Sequence, residues 1–304
     1  MSWRLRVPAS SANLGPGFDA LGLALGIYLH CRFRPAEKLR ITVRGRDAES
    51  ISAGEDNFIW QTALKVAHDH GETLGPIDLL IESEIPLGKG LGSSAAALTA
   101  GVIIADKLLG LRWKPNRILD EAARLEGHPD NVAACVLGGV VASATQSGGA
   151  TSAVSLPLPE QYSVAVVVPD FILPTTQARA VLPAEYSRQD AVFNIQRAAL
   201  LMAALAAGAT SAFPTALEDR LHQQHRARLI PGLEEILRLR APGLLGCVLS
   251  GAGPSVLVFH ERGYEQVSDL VRQIFALHSR SSEVVCNAVA KEGFRIWEED
   301  GSWT

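Results

Sequence analysis

Apolar residues along this chain recur with two spacings. The clearest period of two is IDLLIESEI, residues 77–85, where Ile77, Leu79, Ile81 and Ile85 share one face of a strand. LRV at 5–7 and LGLALGIYLHCRF at 21–33 also read as strands. Helical spacing covers 57–70, 94–109 and 116–126. In the last of these Ile118, Ala122 and Leu125 form a stripe that stops at Gly127. The helix over 94–109 is apolar nearly all round until Asp106 and Lys107, so it belongs inside the protein, and Gly110 supplies its stop.

Further on, SVAVVVP predicts a buried strand, and 190–207 an apolar-rich helix ending at Gly208. CVLS and SVLVF flank a glycine turn, an amphipathic helix covers about 264–277, and EVVCNAV reads as a last strand. Strands and helices mix in both halves, which gives an α+β class. The stretch QSGGATSAVSLPLPEQYS, 146–163, is small, Pro-containing and nearly uncharged. It marks a boundary between two domains, 1–155 and 156–304.

Composition narrows the partners. The chain has 304 residues, with 47% hydrophobic and 20% charged, as ordinary globular proteins have. A formal charge of −4 and a pI near 6.1 do not suit a nucleic-acid partner. MSWRLRVP lacks the apolar core of a signal peptide, and the longest apolar run, 95–105, is too short to span a bilayer. Cys31, Cys135, Cys247 and Cys286 stand apart without CxxC spacing, as in reduced cytoplasmic proteins. The expectation is a soluble cytoplasmic protein with small-molecule partners and no membrane. Oligomeric state is not legible; a homodimer is compatible with the chain.

The chemistry concentrates in PLGKGLGSSAA, residues 86–96. A strand leads into it and the buried helix leaves it through Ser93 and Ser94, good N-cap types. A helix start offers unpaired N–H groups and partial positive charge, and glycines let backbone approach an anion closely. The combination makes a phosphate cradle in which the Ser94 hydroxyl has access to a phosphate-bound Mg²⁺. The string fits neither the Walker nor the dinucleotide pattern, because Lys89 lies among evenly spaced glycines. It closely resembles the central motif of the GHMP small-molecule kinases, whose corresponding loop wraps the ATP phosphates. The resemblance implies that Pro86, Leu87, Gly88, Lys89, Gly90, Leu91, Gly92, Ser93, Ser94, Ala95 and Ala96 bind ATP. It also implies an N-terminal ATP-binding α/β domain, a C-terminal ferredoxin-like α+β domain and an active site in the cleft between them.

Three more constellations follow in the family's order. In PASSANLGPGFDALGLAL, residues 8–25, Asn13 and Asp19 are the strong polar side chains in a loop of small residues. They suit an ammonium or hydroxyl group, or local turn bonds. The segment resembles the opening signature of the homoserine-kinase branch. Mevalonate kinases carry a lysine here; in this chain the first is Lys38. In LEGHPDNVAACVLGG, residues 125–139, Glu126 ends a helix, where a carboxylate is unfavourable unless a cation compensates it. The resemblance assigns Glu126 and Ser94 to Mg²⁺ and places Asp130 and Asn131 on the acceptor side, with Asp130 the family's base where one is used. LSGAGPSVLVF, 249–259, is a strand–turn–strand that resembles the third family motif and puts Gly251 beside the substrate.

An amino-acid acceptor needs cations for its carboxylate, and arginine forks fit best. Arg179 and Arg226 lie in segments that resemble the branch's substrate-carboxylate stretches, with Asn13, Asp19 and Asn131 left for the amino and hydroxyl ends. His128, before Pro129, reads as structural. The pairs His68 with His70 and His222 with His225 have ligand spacing but no accompanying cysteines. The resemblance implies transfer of the ATP γ-phosphoryl group to the homoserine hydroxyl, with Lys89, Asp130 and Asn131 taking part. Another small alcohol, or a nucleotide sensor without activity, are the competing readings.

Overall fold

A computed structural model describes residues 1–299. β1 (Ser2–Ala12) and β2 (Leu21–Pro35) form a long antiparallel pair in which Val7 faces Leu29. Alternation sends Leu5, Val7 and Ala9 of β1 and Leu23, Leu25 and Phe33 of β2 inward, each fully buried. β3 (Arg40–Gly45), α1 (Phe58–Asp69) and β4 (Ile77–Ser83) follow. β4 pairs antiparallel with β2 and parallel with β3, burying Ile77, Leu79 and Ile81 as their period requires. Asn57 caps α1 by accepting from the amides of Ile59 and Trp60.

α2 (Ser93–Leu109), α3 (Pro115–Glu126) and α4 (Asp130–Leu137) pack together, with α2 against α1 and β1. α2 is the buried helix its composition demands: Ala96, Val102, Ile103 and Ile104 have no exposed surface. A hairpin of β5 (Val140–Thr145) and β6 (Thr151–Leu156) extends the sheet from the first residues of β2. Within 146–163 the structure thus holds a strand rather than a plain linker. Among the described residues β6 pairs only with β5, and Val154 is largely exposed, so its small and polar residues answer to an edge position.

The chain leaves this sheet after Leu156. β7 (Tyr162–Pro169), α5 (Thr175–Ala180), α6 (Arg188–Ala207), α7 (Phe213–Ala216), α8 (Gln223–Arg226), α9 (Leu233–Leu237), β8 (Leu244–Leu249), β9 (Val256–Glu261), α10 (Val267–Leu277) and β10 (Ser282–Cys286) follow. Their strands form an antiparallel sheet in the order β10-β7-β9-β8, the split β-α-β-β-α-β pattern expected. Val164, Val166 and Phe259 join the core of the first unit, while Val167, Leu249 and Phe275 form a second cluster on the other face. Both faces of the second sheet are covered, which explains the unbroken apolar run of β7. β11 (Arg295–Glu299) then returns to the first sheet and pairs with β1, so the tail counted above with the second domain lies on the first.

Among the described residues α6 is the one helix long and apolar enough to cross a membrane, by length and composition only. Much of it is exposed; its Asn194 is buried and donates to the Pro16 carbonyl and to Asp219 Oδ1.

Candidate active site

The loop after β4 is held from three sides. The Ser10 amide donates to the Leu91 carbonyl (3.1 Å), and the Ser255 amide to the Lys89 carbonyl (3.3 Å). The Ser250 hydroxyl bridges the Gly90 carbonyl (2.7 Å) and the Ser11 hydroxyl (2.8 Å). Gly88, Gly90 and Gly92 all have positive φ. At Gly90 the need is steric as well: a Cβ there would lie 2.3 Å from the Ser250 carbonyl oxygen.

The cap of α2 differs from expectation. Gly92, in the left-handed region, occupies the cap position, and Ser93 and Ser94 are the first two helical residues. Ser10 Oγ fills the space where a Gly92 Cβ would fall, so a serine cap at 92 has no room. Among the described residues no side chain caps this helix start, and residues 93–95 line a cavity of about 160 Å³. The amides and the dipole therefore face open space, ready for an anion.

At the other end of the cavity Asp19 and Arg179 face each other. Arg179 Nη2 donates to Asp19 Oδ1 (2.9 Å) and Nη1 to Oδ2 (3.4 Å). Behind them Arg226 is 1% exposed. Its Nε donates to the Ala178 carbonyl (3.1 Å) and its Nη1 to the Gly251 carbonyl (3.1 Å). Burial first, then Arg179 nearby, bring its pKa down to about 10, so it stays charged at neutral pH. Asn13 Nδ2 donates to the same Gly251 carbonyl (3.0 Å), and its Oδ1 accepts from the Asp19 amide (3.0 Å). Asn13 thus makes the turn bonds of the plainer sequence reading, and in doing so shapes the pocket wall.

Between these ends lie His128, Asp130 and Asn131. Asp130 Oδ1 accepts from the Asn131 amide (2.8 Å) and lies 3.0 Å from His128 Nδ1. The bond to Asp130 raises the His128 pKa. Ser10 Oγ donates to Asn131 Oδ1 (2.8 Å) and Asn131 Nδ2 donates a long bond to Asp130 Oδ1 (3.4 Å), which leaves one N–H of the Asn131 amino group for the cavity. Asp19, His128 and Asp130 bring three potential ligand atoms within 4.8 Å of one another.

Glu126 lies at the end of α3, before the left-handed Gly127. Burial raises its pKa, against the charges of His128 and Arg179. Its carboxylate has no hydrogen-bond or ion-pair partner among the described residues, and both it and Ser94 line the cavity. An unpartnered carboxylate and a free hydroxyl form a hard-oxygen donor set, the kind Mg²⁺ takes.

Asn13, Asp19, Glu126, Asp130, Asn131, Arg179, Arg226 and Gly251 meet in one cavity with Gly88, Gly90, Leu91, Gly92, Ser93, Ser94 and Ala95. Four other expected loop residues face elsewhere. Lys89 Nζ donates to the Pro169 and Phe171 carbonyls, 2.8 Å each, and with Pro86 lines a separate pocket behind the loop. Its ammonium joins the loop to the second sheet and does not point at the cavity, which corrects the catalytic expectation for it. Ala96 is packed in the core one turn into α2. Leu87 lines an apolar cavity of about 320 Å³ that shares Ser93 and Ser94 with the cleft.

That apolar cavity, walled by Ile51, Phe58, Ile59 and Ile81, was not anticipated. One trace of it is present in the chain: Phe58 is an exposed aromatic beside the buried stripe of α1. His128, which reads as structural from its place before Pro129, lines the cleft. His222 is fully buried with Nε2 2.7 Å from the Gly15 carbonyl, so it does not pair with His225 as a metal ligand.

Residues 57–139 match the family model for the GHMP kinases N-terminal domain, and 201–276 that for the GHMP kinases C-terminal domain. The chain is 68% identical to a homoserine kinase of Solibacter usitatus over 97% of either chain. It is 48% identical to one of Deinococcus radiodurans, covering 85% of this chain and 84% of that one. Among solved structures it is similar to a homoserine kinase from Cytophaga hutchinsonii, with a TM-score of 0.84, 29% identity and 97% of each chain covered. A galactokinase of Lactococcus lactis shares the fold at a TM-score of 0.69 and 16% identity, covering 97% of this chain and 95% of that one.

Proposed function

The chain belongs to the GHMP kinases, and from that premise and the geometry of the cleft we infer that it is an ATP-dependent kinase of L-homoserine. The γ-phosphoryl group passes to the side-chain hydroxyl, giving O-phospho-L-homoserine for threonine synthesis. The observation that carries the acceptor is the Asp19–Arg179 pair with Arg226 behind it. A zwitterion fits by parting the pair: its ammonium takes Asp19, and its carboxylate takes Arg179 and the buried Arg226. A sugar offers no compensating charge to either side, and mevalonate offers a carboxylate to the arginines but no ammonium to Asp19, so at least one separated ion stays unpaired.

The other half of the reaction rests on the loop. Triphosphate lies along the amides of 88–95, with the start of α2 opposite its charge. The apolar cavity beside Ser93 and Ser94 receives the adenine base, whose flat face suits Phe58 and Ile59. Ser94 and Glu126 would hold Mg²⁺, which would supply charge neutralisation to the phosphates. The Glu126 carboxylate, costly to bury alone, then gains a partner.

Phosphoryl transfer asks the protein mainly for positioning and charge stabilisation. Asn131, its oxygen taken by Ser10, presents its amino group toward the acceptor hydroxyl. Asp130 is committed to the Asn131 amide and to His128, so it orients its neighbours and is poorly placed to take the hydroxyl proton. The proton leaves late, as the new P–O bond forms, and passes to an oxygen of the transferred phosphoryl group or to water. We place the reaction in the cytoplasm, where the four buried, unpaired cysteines stay reduced.

ADP release against L-homoserine, L-serine, mevalonate and galactose tests the reading. Turnover of homoserine at least about 100-fold above the others in kcat/KM is expected. Preference for mevalonate or galactose would refute the acceptor, and no ADP with any alcohol would favour a sensor, although a sensor has no need of Glu126.

A further inference from the structure

One fully buried polar side chain behind the cleft takes no part in the chemistry above. His222, immediately before α8, has no exposed surface. Its Nε2 lies 2.7 Å from the Gly15 carbonyl oxygen, and its Nδ1 lies 3.1 Å from Arg226 Nη1. A carbonyl only accepts and a guanidinium only donates. The two contacts are both hydrogen bonds for one species alone, the neutral ring with its proton on Nε2. Burial favours that neutral form.

The backbone of His222 and one face of its ring are held as well. Asp219 Oδ2 accepts from the amides of His222 (3.0 Å) and Gln223 (2.7 Å), and Oδ1 accepts from Asn194 Nδ2 (2.7 Å). Phe18 stacks on the imidazole at 5.4 Å. Arg226 has five N–H groups. Nε is used by Ala178, and the two on Nη1 by Gly251 and His222, which leaves the pair on Nη2 for the cavity.

We propose that His222 is a positioning residue for the acceptor: through its Nδ1 lone pair it fixes the Arg226 fork, and through Nε2 it locks that fork to the Gly15 turn between Asn13 and Asp19. One ring thereby sets the separation between the group that takes the carboxylate and the loop that takes the ammonium. Without the Nδ1 acceptor, a guanidinium N–H is left buried and unpaired, and the fork turns away to satisfy it. The proposal rests on the reading that Arg226 receives the homoserine carboxylate.

Two polar substitutions separate the ring's two contacts. The amide of His222→Asn falls near the Nδ1 position and supplies an acceptor to Arg226. The longer His222→Gln reaches Gly15 and leaves Arg226 unserved. Steady-state kinetics of the full chain should show the homoserine KM rising about tenfold or more in His222→Gln and within about threefold of wild type in His222→Asn. The ATP KM and kcat should change less than about twofold in both. In an Arg226→Ala background His222→Gln should add nothing further, and 3-aminopropan-1-ol, which has no carboxylate, should be indifferent to it. The proposal is overturned if the Asn variant is the worse of the two, if the Gln effect persists without Arg226, or if the ATP KM rises in parallel. Wild-type turnover of homoserine is the separate check. Its absence removes the acceptor assignment and this inference with it; turnover with a His222 effect independent of Arg226 removes the inference alone.

Discussion

Replacing Gly90 by alanine tests whether the loop amides are the anion site. The added Cβ would stand 2.3 Å from the Ser250 carbonyl oxygen, 2.7 Å from that of Gly253 and 2.9 Å from the Gly253 nitrogen. All three are backbone atoms, so no rotamer change relieves the overlap. Opening 2.3 Å to an ordinary contact of 3.4 Å requires a shift of 1.1 Å. That shift breaks the bonds from Ser250 Oγ to the Gly90 carbonyl and from the Ser255 amide to the Lys89 carbonyl. Two lost hydrogen bonds cost about 2 kcal/mol, and a side chain at positive φ adds about 1–2 kcal/mol. The total of about 3–4 kcal/mol is a large share of an ordinary protein's stability. A displacement of this size also misaligns the phosphate contacts, enough for about a 100-fold fall in kcat/KM for ATP. Gly110→Ala is the control, since its φ is +66° and nothing lies within 4 Å of the new methyl. It should lower Tm by about 2–4 °C and leave ATP kinetics unchanged. Thermal melts and ADP release over an ATP titration read both quantities. If Gly90→Ala matches Gly110→Ala in both, the loop does not cradle the triphosphate.

Other substitutions probe the remaining roles. Arg179→Ala should raise the homoserine KM about tenfold without changing that for ATP, and the penalty should shrink at high salt because the Asp19 pair is partly exposed; equal effects on both substrates would contradict the assignment. Asp130→Asn should keep more than about a tenth of wild-type kcat, whereas a loss of 100-fold or more with unchanged binding would restore it as the general base. Lys89→Met should lower Tm and raise the ATP KM a few-fold, since the ammonium joins the loop to residues 169 and 171; collapse of kcat at saturating ATP would mean that it reaches the phosphates. Burial raises the Glu126 pKa, so the folded state holds this proton more tightly than the unfolded chain. The group therefore opposes folding as pH rises past the unfolded value near 4.5, and the opposition is complete above the raised folded value. Glu126→Gln should accordingly raise Tm at pH 7 in EDTA while abolishing Mg²⁺-dependent turnover; an unchanged Tm or retained turnover would remove the metal role.

Much of the cleft was legible because its parts are local in the chain. The strand–glycine–helix run at 86–96 carries its own backbone logic, and Glu126 before Gly127 is out of place at a helix end without a cation. Distances between remote segments were not legible. Asp19 and Arg179 meet across 160 residues, and nothing in either neighbourhood announces the other. The direction of Lys89 is not legible because the aim of a side chain in a tight loop depends on which glycines take positive φ. The cap at Gly92 was misassigned to serine because the obstructing hydroxyl comes from Ser10, on another strand. β6 resembles a linker because an exposed edge strand and a linker draw on the same small and polar residues. For His222 the sequence offers only its spacing to His225, which points to a metal and away from its place: its meaning lies in two partners, one a backbone carbonyl that any residue could supply.

β11 bears on how this molecule is made. Ser2 bonds to the carbonyl of Glu299, a partner 297 residues later. During synthesis β1 therefore waits with a bare edge until nearly all of the second unit has been built. A trimming that removes 295–299 would leave the catalytic groups in place and uncover the backbone of β1, so its first symptom should be aggregation rather than lost turnover.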